Sequence, residues 1–287
     1  MALVTIWKAS IKFRIGAIAL LILVFMAVFN GTIIQLVLGE GVDPAVVGGP
    51  GSGQIFEDPS SAHWFGTDRF GRDWFGMLLV GLPVTLSVST LAAVITVVAG
   101  TIVGFVSGFL GGRVDTVLRT IMDLLIVVPT FPLILVLAAY ARGMNVIELA
   151  LVLSIFAWAG SARIIRTQVL SLRERPYIEL SRMTNLSNWE IIRQDMLPNM
   201  LPYLGIQFAE RSIDAAFALV GLTVIGLAPS GIQDLGAMIN LSLSWGVMSL
   251  GKYMIFAAPM AVLTLYFMAF ALINNGLEEV YNPRLRT

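Results

Sequence analysis

Residues 74–112 read WFGMLLVGLPVTLSVSTLAAVITVVAGTIVGFVSGFLGG, without one charged side chain. Crossing about 30 Å of hydrocarbon takes about 20 mostly apolar residues in a helix, so the stretch holds a full membrane span. Pro83 reads as the boundary between an interfacial segment and a span over residues 84–110. Gly100, Gly104, Gly108 and Gly112 recur every four residues, a stripe on which another helix backbone can approach closely.

The rest of the chain shares this character. Of 287 residues, 57% are hydrophobic and 13% charged, against about 25% charged in soluble domains, and the mean hydropathy is +0.86. Lys+Arg and Asp+Glu number 18 each, so no basic face is offered to a nucleic acid. The chain has no Cys and a single His, His63. Disulfides, Cys nucleophiles and thiolate metal sites are excluded, and no zinc site is expected.

Further uncharged runs mark the other spans. Residues 15–39 are too long for the apolar core of a signal peptide and read as a retained first helix. A third span lies between Arg119 and Arg142, with Asp123 near its start and Pro129 and Pro132 bending it. A weaker fourth covers residues 147–162, the fifth covers 201–227, and the sixth, 253–277, carries no charge. Six spans put both termini on one side. With the 111–120 turn and the 161–199 loop, that side holds 13 of the 18 basic residues, which makes it cytoplasmic. The expected protein is all-α and integral to the membrane, with six transmembrane helices. Its parts are a cytoplasmic N-terminus (1–14), a first helix (15–39), an extracytoplasmic segment (40–79), a five-helix core (80–277) and a cytoplasmic C-terminus (278–287). Residues 40–73, acidic and rich in Gly, Pro and Ser, are expected to form an irregular outer loop.

Few motifs look chemical. Gly246-Val-Met-Ser-Leu-Gly251-Lys252-Tyr253 imitates a phosphate-binding loop, but Tyr253 stands where the magnesium-binding Ser or Thr must be. In the fifth span, Gln207, Glu210, Arg211 and Asp214 follow i, i+3, i+4, i+7 and share one helical face. Charges at membrane depth are costly unless they find partners or face water, so this face is either an ion-pair network locking helices or the lining of a polar path. Arg211 and Asp214 are spaced to pair, and Asp123 is a similar, weaker path candidate. The loop 163–199, with six Arg and four acidic residues, is the most charged stretch. Within it Pro176 suits a first helical turn, and Tyr177, Leu180, Met183 and Thr184 make one side of a short amphipathic element with Glu179 and Arg182 on another. Too polar for lipid and too short to fold alone, it is expected to dock on a partner.

Here the chain resembles the permease subunits of binding-protein-dependent ABC importers, in the dipeptide, oligopeptide and nickel branch. Tyr177-Ile-Glu-Leu-Ser-Arg182, then Asn185, then Met196-Leu-Pro-Asn199, is similar to that family's cytoplasmic loop motif of Glu-Ala-Ala, a later Gly and a Leu-Pro. Glu179 fills the Glu position, Leu180 and Ser181 replace the two Ala, and Asn185 replaces the Gly. Asn is the non-Gly residue most at ease in the left-handed conformation. The segment His63-Trp-Phe-Gly66-Thr67-Asp68-Arg-Phe-Gly71-Arg72-Asp73 is similar to one found just before the second span of one of the two permeases of peptide importers. Gly111 to Asp115, Trp158 to Arg163, Arg166, Ser244-Trp-Gly246, Asn274-Asn-Gly276 and Asn282-Pro-Arg-Leu285 extend the resemblance over nearly the whole chain. Leu82-Pro83 and Leu219 depart from the family, which has Ala-Arg and an acidic residue there.

The resemblance implies a type I importer permease fold in a bacterial or archaeal plasma membrane, with a coupling helix seated on an ATPase subunit through Tyr177, Glu179, Arg182, Asn185, Leu197 and Pro198. It implies a second homologous permease, two ATPase subunits holding ATP and magnesium, a substrate-binding protein outside and lipid around. The chain itself would bind no cofactor or metal and catalyse nothing, and the solute would be a peptide or an oligosaccharide. A secondary transporter is the rival reading, but no internal repeat is evident. An intramembrane enzyme would need a nucleophile or metal constellation within the spans, and no His or Cys lies there.

Overall fold

The computed structural model describes residues 7, 9–140, 143–227 and 233–281; Lys8, Arg142 and the 282–285 motif lie outside them. Helix α1 (Ile11–Val28) opens on Ser10, whose hydroxyl accepts from the Phe13 amide, and α2 (Asn30–Leu38) continues it after a break at Phe29. Helix α3 (Trp74–Leu110) is capped by Asp73 and ends at Gly111, φ 69°. It runs unbroken through Pro83, so no helix end lies there and residues 74–79 are helical and continuous with the rest of the span. A proline inside a helix leaves one carbonyl without a donor. The cost is borne where neighbouring elements bury the turn: Leu79 and Leu82 are fully covered.

The third span is helix α4 (Gly112–Val127) followed by α5 (Thr130–Tyr140), bent by 76°. Val128 is extended, ψ 126°, as the residue before Pro129 must be, so the expected bend is a full break. The fourth is α6 (Val146–Ser154) and α7 (Ala157–Arg173), bent by 53°. Helix α7 runs eleven residues past the expected end of the span at 162, and the supposed loop from 163 begins as helix because nothing breaks it before Pro176. Next come α8 (Pro176–Met183), the single turn α9 (Asn188–Glu190), a π-helical turn (Ile191–Met196) and α10 (Leu197–Val224). The short α11 (Leu235–Ser244) and the long α12 (Tyr253–Tyr281) complete the chain. Helices α1, α3 and α12 are long and apolar enough to cross a membrane singly, and the two bent pairs do so together. Helix α10, expected as a further span, carries Glu210, Arg211 and Asp214 and is not among the helices apolar enough to cross by that measure.

Helix α3 is the centre, packed by α7, α10, α6 and α1, while α1 lies along α12. A Cβ on Gly100, Gly104 or Gly108 would come within 2.7–2.9 Å of α7 at Ser161, Ala162 or Val169, so three of the four glycines bring two backbones together. Gly112 does not: it opens α4 at φ 57° with open space beside it, and its role is the turn. Gly104→Leu is expected to destabilise the protein by about 1–3 kcal/mol through overpacking, read as a lowered melting temperature in detergent. Gly160→Ala, on α7 with nothing within 4 Å, is expected to leave it within about 1 kcal/mol of the parent.

Candidate functional site

Three groups of polar residues stand out on this bundle: a helix at one end, a stripe on α10 and a folded unit at the other end. Helix α8 starts with Pro176 at its first turn and ends before Asn185, whose φ is 59°. That is the left-handed geometry expected of a residue standing in a glycine's place. Ile178 is fully buried among Phe105, Ile165, Val169, Ile191 and Met196 and anchors the helix. Tyr177, Leu180 and Met183 point away, 39%, 63% and 73% exposed. Beside them Glu179 and Arg182 line an open cleft of about 510 Å³ with Leu170, Arg173 and Glu174. The Arg182 guanidinium lies 5.9 Å from the centre of the Phe109 ring. Leu197 and Pro198 open α10, and Leu197 packs against the cluster that buries Ile178. The loop's two ends therefore meet in one apolar core.

Two supports of this end went unread in the sequence. Ser187 and Glu190 form a capping box, the hydroxyl accepting from the Glu190 amide at 3.3 Å and the carboxylate from the Ser187 amide at 2.8 Å. The Ser187 hydroxyl, which also donates to the carboxylate at 2.7 Å, and then the Ser187 amide hold the Glu190 carboxyl below its usual range, and the Ser-x-x-Glu spacing would have revealed the box. Arg166 donates two bonds to Asp115, at 2.5 and 2.6 Å, tying α7 to the start of α4. No local pattern signals that pair, because 51 residues separate its members.

On α10, Arg211 donates to Asp214 at 2.8 Å, the pair its spacing predicts. The partner of Glu210 is Gln207, whose amide donates to it at 2.9 Å. Gln207 is buried and Asp214 exposed, and the buried Gln207 Oε1 and Arg211 Nε have no hydrogen-bond partner among the described residues. Asp123 is not part of this stripe. It lies three-quarters of the way along α4, one turn before that helix ends at Val127, 3.6 Å from Arg119 and 3.5 Å from Arg163.

The outer segment has neither helix nor strand over residues 53–73, as expected of an irregular loop, yet it is closely tied together. Asp68 is fully buried; it accepts from the Phe70 and Arg72 amides and, at 2.7 Å, from the Arg72 guanidinium. Asp73 holds His63 Nδ1 at 2.8 Å with one oxygen and caps α3 at the Gly76 amide with the other. Gly66 and Gly71 both have φ 75°, each pressed on a backbone carbonyl. The Trp74 indole donates to the Ile255 carbonyl at 2.8 Å, and Trp245 rests against Phe56, Phe70 and Trp74.

The sequence profile described as "Binding-protein-dependent transport system inner membrane component" matches residues 100–287. The chain is 30% identical over 288 residues to the dipeptide transport system permease protein DppC of Bacillus subtilis, covering 98% of this chain and 85% of that one. It is 31% identical to the oligopeptide transport system permease protein OppC of Mycobacterium bovis, over 81% of this chain and 80% of the relative. It is also 31% identical to the probable D,D-dipeptide transport system permease protein DdpC of Escherichia coli, over 79% and 75%. Among solved structures, a chain of the inward-facing MetNI methionine ABC transporter shares the fold at a TM-score of 0.55 and 17% identity, over 71% of this chain and 97% of that one. A profile match over most of the chain and relatives aligned over most of their length agree with the all-helical fold and its apolar, membrane-length helices: the chain belongs to the family of binding-protein-dependent transport system inner membrane components.

Proposed function

We propose that this permease of a binding-protein-dependent ABC importer passes peptides between itself and a second, homologous permease. The observation that carries the coupling side is α8, a helix anchored by Ile178 that leaves Tyr177, Leu180 and Met183 uncovered beside a charged cleft. An apolar face held outside the bundle suits a partner, here one of two ATPase subunits carrying ATP and magnesium. On this reading Tyr177, Glu179, Arg182, Asn185, Leu197 and Pro198 transmit the movement of those subunits, the chain catalyses nothing itself, and both termini are cytoplasmic. A substrate-binding protein delivers cargo on the side of residues 40–73. Peptide is favoured over oligosaccharide because relatives spanning the whole chain are named for dipeptide and oligopeptide transport.

Helix α10 supports the path rather than the lock. Its two polar pairs, Gln207 with Glu210 and Arg211 with Asp214, lie within one helix and tie it to no other described helix. The stripe is then better suited to facing a water-filled way between permeases. Arg211→Gln is expected to cut uptake about tenfold, equivalent to about 1.4 kcal/mol on the barrier, with the complex's melting temperature unchanged; a lower melting temperature with uptake proportional to folded complex would favour the lock. The function as a whole is tested by purifying the chain with its native partners. Copurification of two ATPase subunits and ATP-driven uptake of labelled di- and oligopeptides in proteoliposomes are expected. Recovery of the chain alone, active in gradient-driven uptake, would overturn the proposal.

A further inference from the structure

A groove of about 480 Å³ runs between residues 101–110 of α3 and residues 188–197. Gly100, Gly104 and Gly108 turn toward α7, and the opposite face of α3 presents Ile102, Val106 and Leu110, 60%, 38% and 56% exposed. The facing wall is Trp189, 67% exposed, with Ile192 from the π-helical turn. Arg193 stands at the groove, exposed, and makes no hydrogen bond or ion pair with any described residue.

We infer that this groove seats an acyl chain of an anionic phospholipid whose headgroup is held by Arg193. The α3 wall, at 1.5 Å per residue, is about 14 Å long, which matches half of the about 30 Å hydrocarbon thickness, one leaflet. Trp is enriched at the membrane–water interface, so Trp189 marks the level of the headgroups at the α8 end of the bundle. An unpaired Arg at that level, next to an apolar slot between helices, has the chemistry that attracts an anionic headgroup while the tail fills the slot. A protein partner docking there would have to bring its own carboxylate to Arg193 at a level where anionic lipid already supplies the counter-charge. The inference needs only the membrane-embedded fold, not the cargo or the ATPase contacts.

The test uses the whole complex in nanodiscs of phosphatidylglycerol and phosphatidylcholine in equal parts, with a photoreactive group in the acyl chain of one lipid at a time. The phosphatidylglycerol probe is expected to label residues 101–110 and 188–197 about fivefold more than the phosphatidylcholine probe, the factor one basic residue near an anionic surface supplies. Arg193→Gln should bring the ratio to about one while the phosphatidylcholine labelling persists. Val106→Trp should abolish labelling of these residues by both probes and leave other lipid-facing positions labelled. Added inorganic phosphate should not compete, because the tail contributes the rest of the binding. Equal labelling by the two lipids, a ratio that survives Arg193→Gln, competition by phosphate, or an unlabelled groove covered by a protein partner would each overturn the inference.

Discussion

Asp68→Asn is expected to cost about 3–5 kcal/mol, the penalty for stranding a buried charge. The substitution keeps an oxygen for the Phe70 and Arg72 amides but removes the negative charge and puts an NH2 donor where the guanidinium's acceptor was. Arg72, 7% exposed and bonded at 2.7 Å through both Nε and an NH2 group, is then left in a closed pocket without its counter-charge. The outer unit should open, exposing residues 53–73 to limited proteolysis and lowering the melting temperature of the complex. Lys252→Gln removes an ion pair whose Asp58 side chain is 78% exposed and is expected to cost under about 1 kcal/mol. Replacing Arg72 with Gln beside Asp68→Asn should restore part of the loss, since no unpaired charge remains. If Asp68→Asn melts with the parent, the buried pair is not what holds this unit.

Glu179→Arg is expected to abolish substrate-stimulated ATPase activity and uptake, with the complex still folded. Its side chain is exposed at the cleft that Arg173 and Arg182 already line. A third cation there turns a mixed surface into a repulsive one for any partner built to meet it. Like-charge juxtaposition at an interface costs several kcal/mol, and about 3 kcal/mol is roughly a hundredfold in affinity or rate. Ile178→Asp, which buries a charge in the anchor of α8, should instead unfold the loop, so the two variants separate contact from structure. Undisturbed ATPase stimulation and uptake in Glu179→Arg would sink the coupling assignment.

These positions also show which parts of the structure the residues announce. Uncharged runs reveal the membrane passages because the length needed to cross hydrocarbon is fixed, and Pro176 and Asn185 bracket α8 because each has a backbone preference of its own. Pro83 does not end its helix because a helix buried on several sides tolerates what an isolated one does not. Residues 163–173 look like a loop because charge suggests solvent, yet Arg166 is spent on Asp115. The outer unit was hidden by distance in another sense: Gly and Pro density signals turns, but the pairing of His63 with Asp73 around them is tertiary. Gly112 fits the four-residue period and still belongs to a turn, since a period places a residue on a face without saying what lies opposite.

The bond from Trp74 to Ile255 spans 181 residues, and this has a consequence for biosynthesis. At about 5–20 residues per second, the ribosome delivers the acceptor roughly 10–40 s after the donor. Helix α1 waits longer still: Gly16 fits against Ala269, and Gly276 against Phe13. The first membrane helix and the outer unit thus reach their places with their final contacts not yet made, and both are closed by the last helix to emerge. A nascent chain stalled before α12 should therefore show residues 53–73 sensitive to protease, and gain protection only once translation is complete.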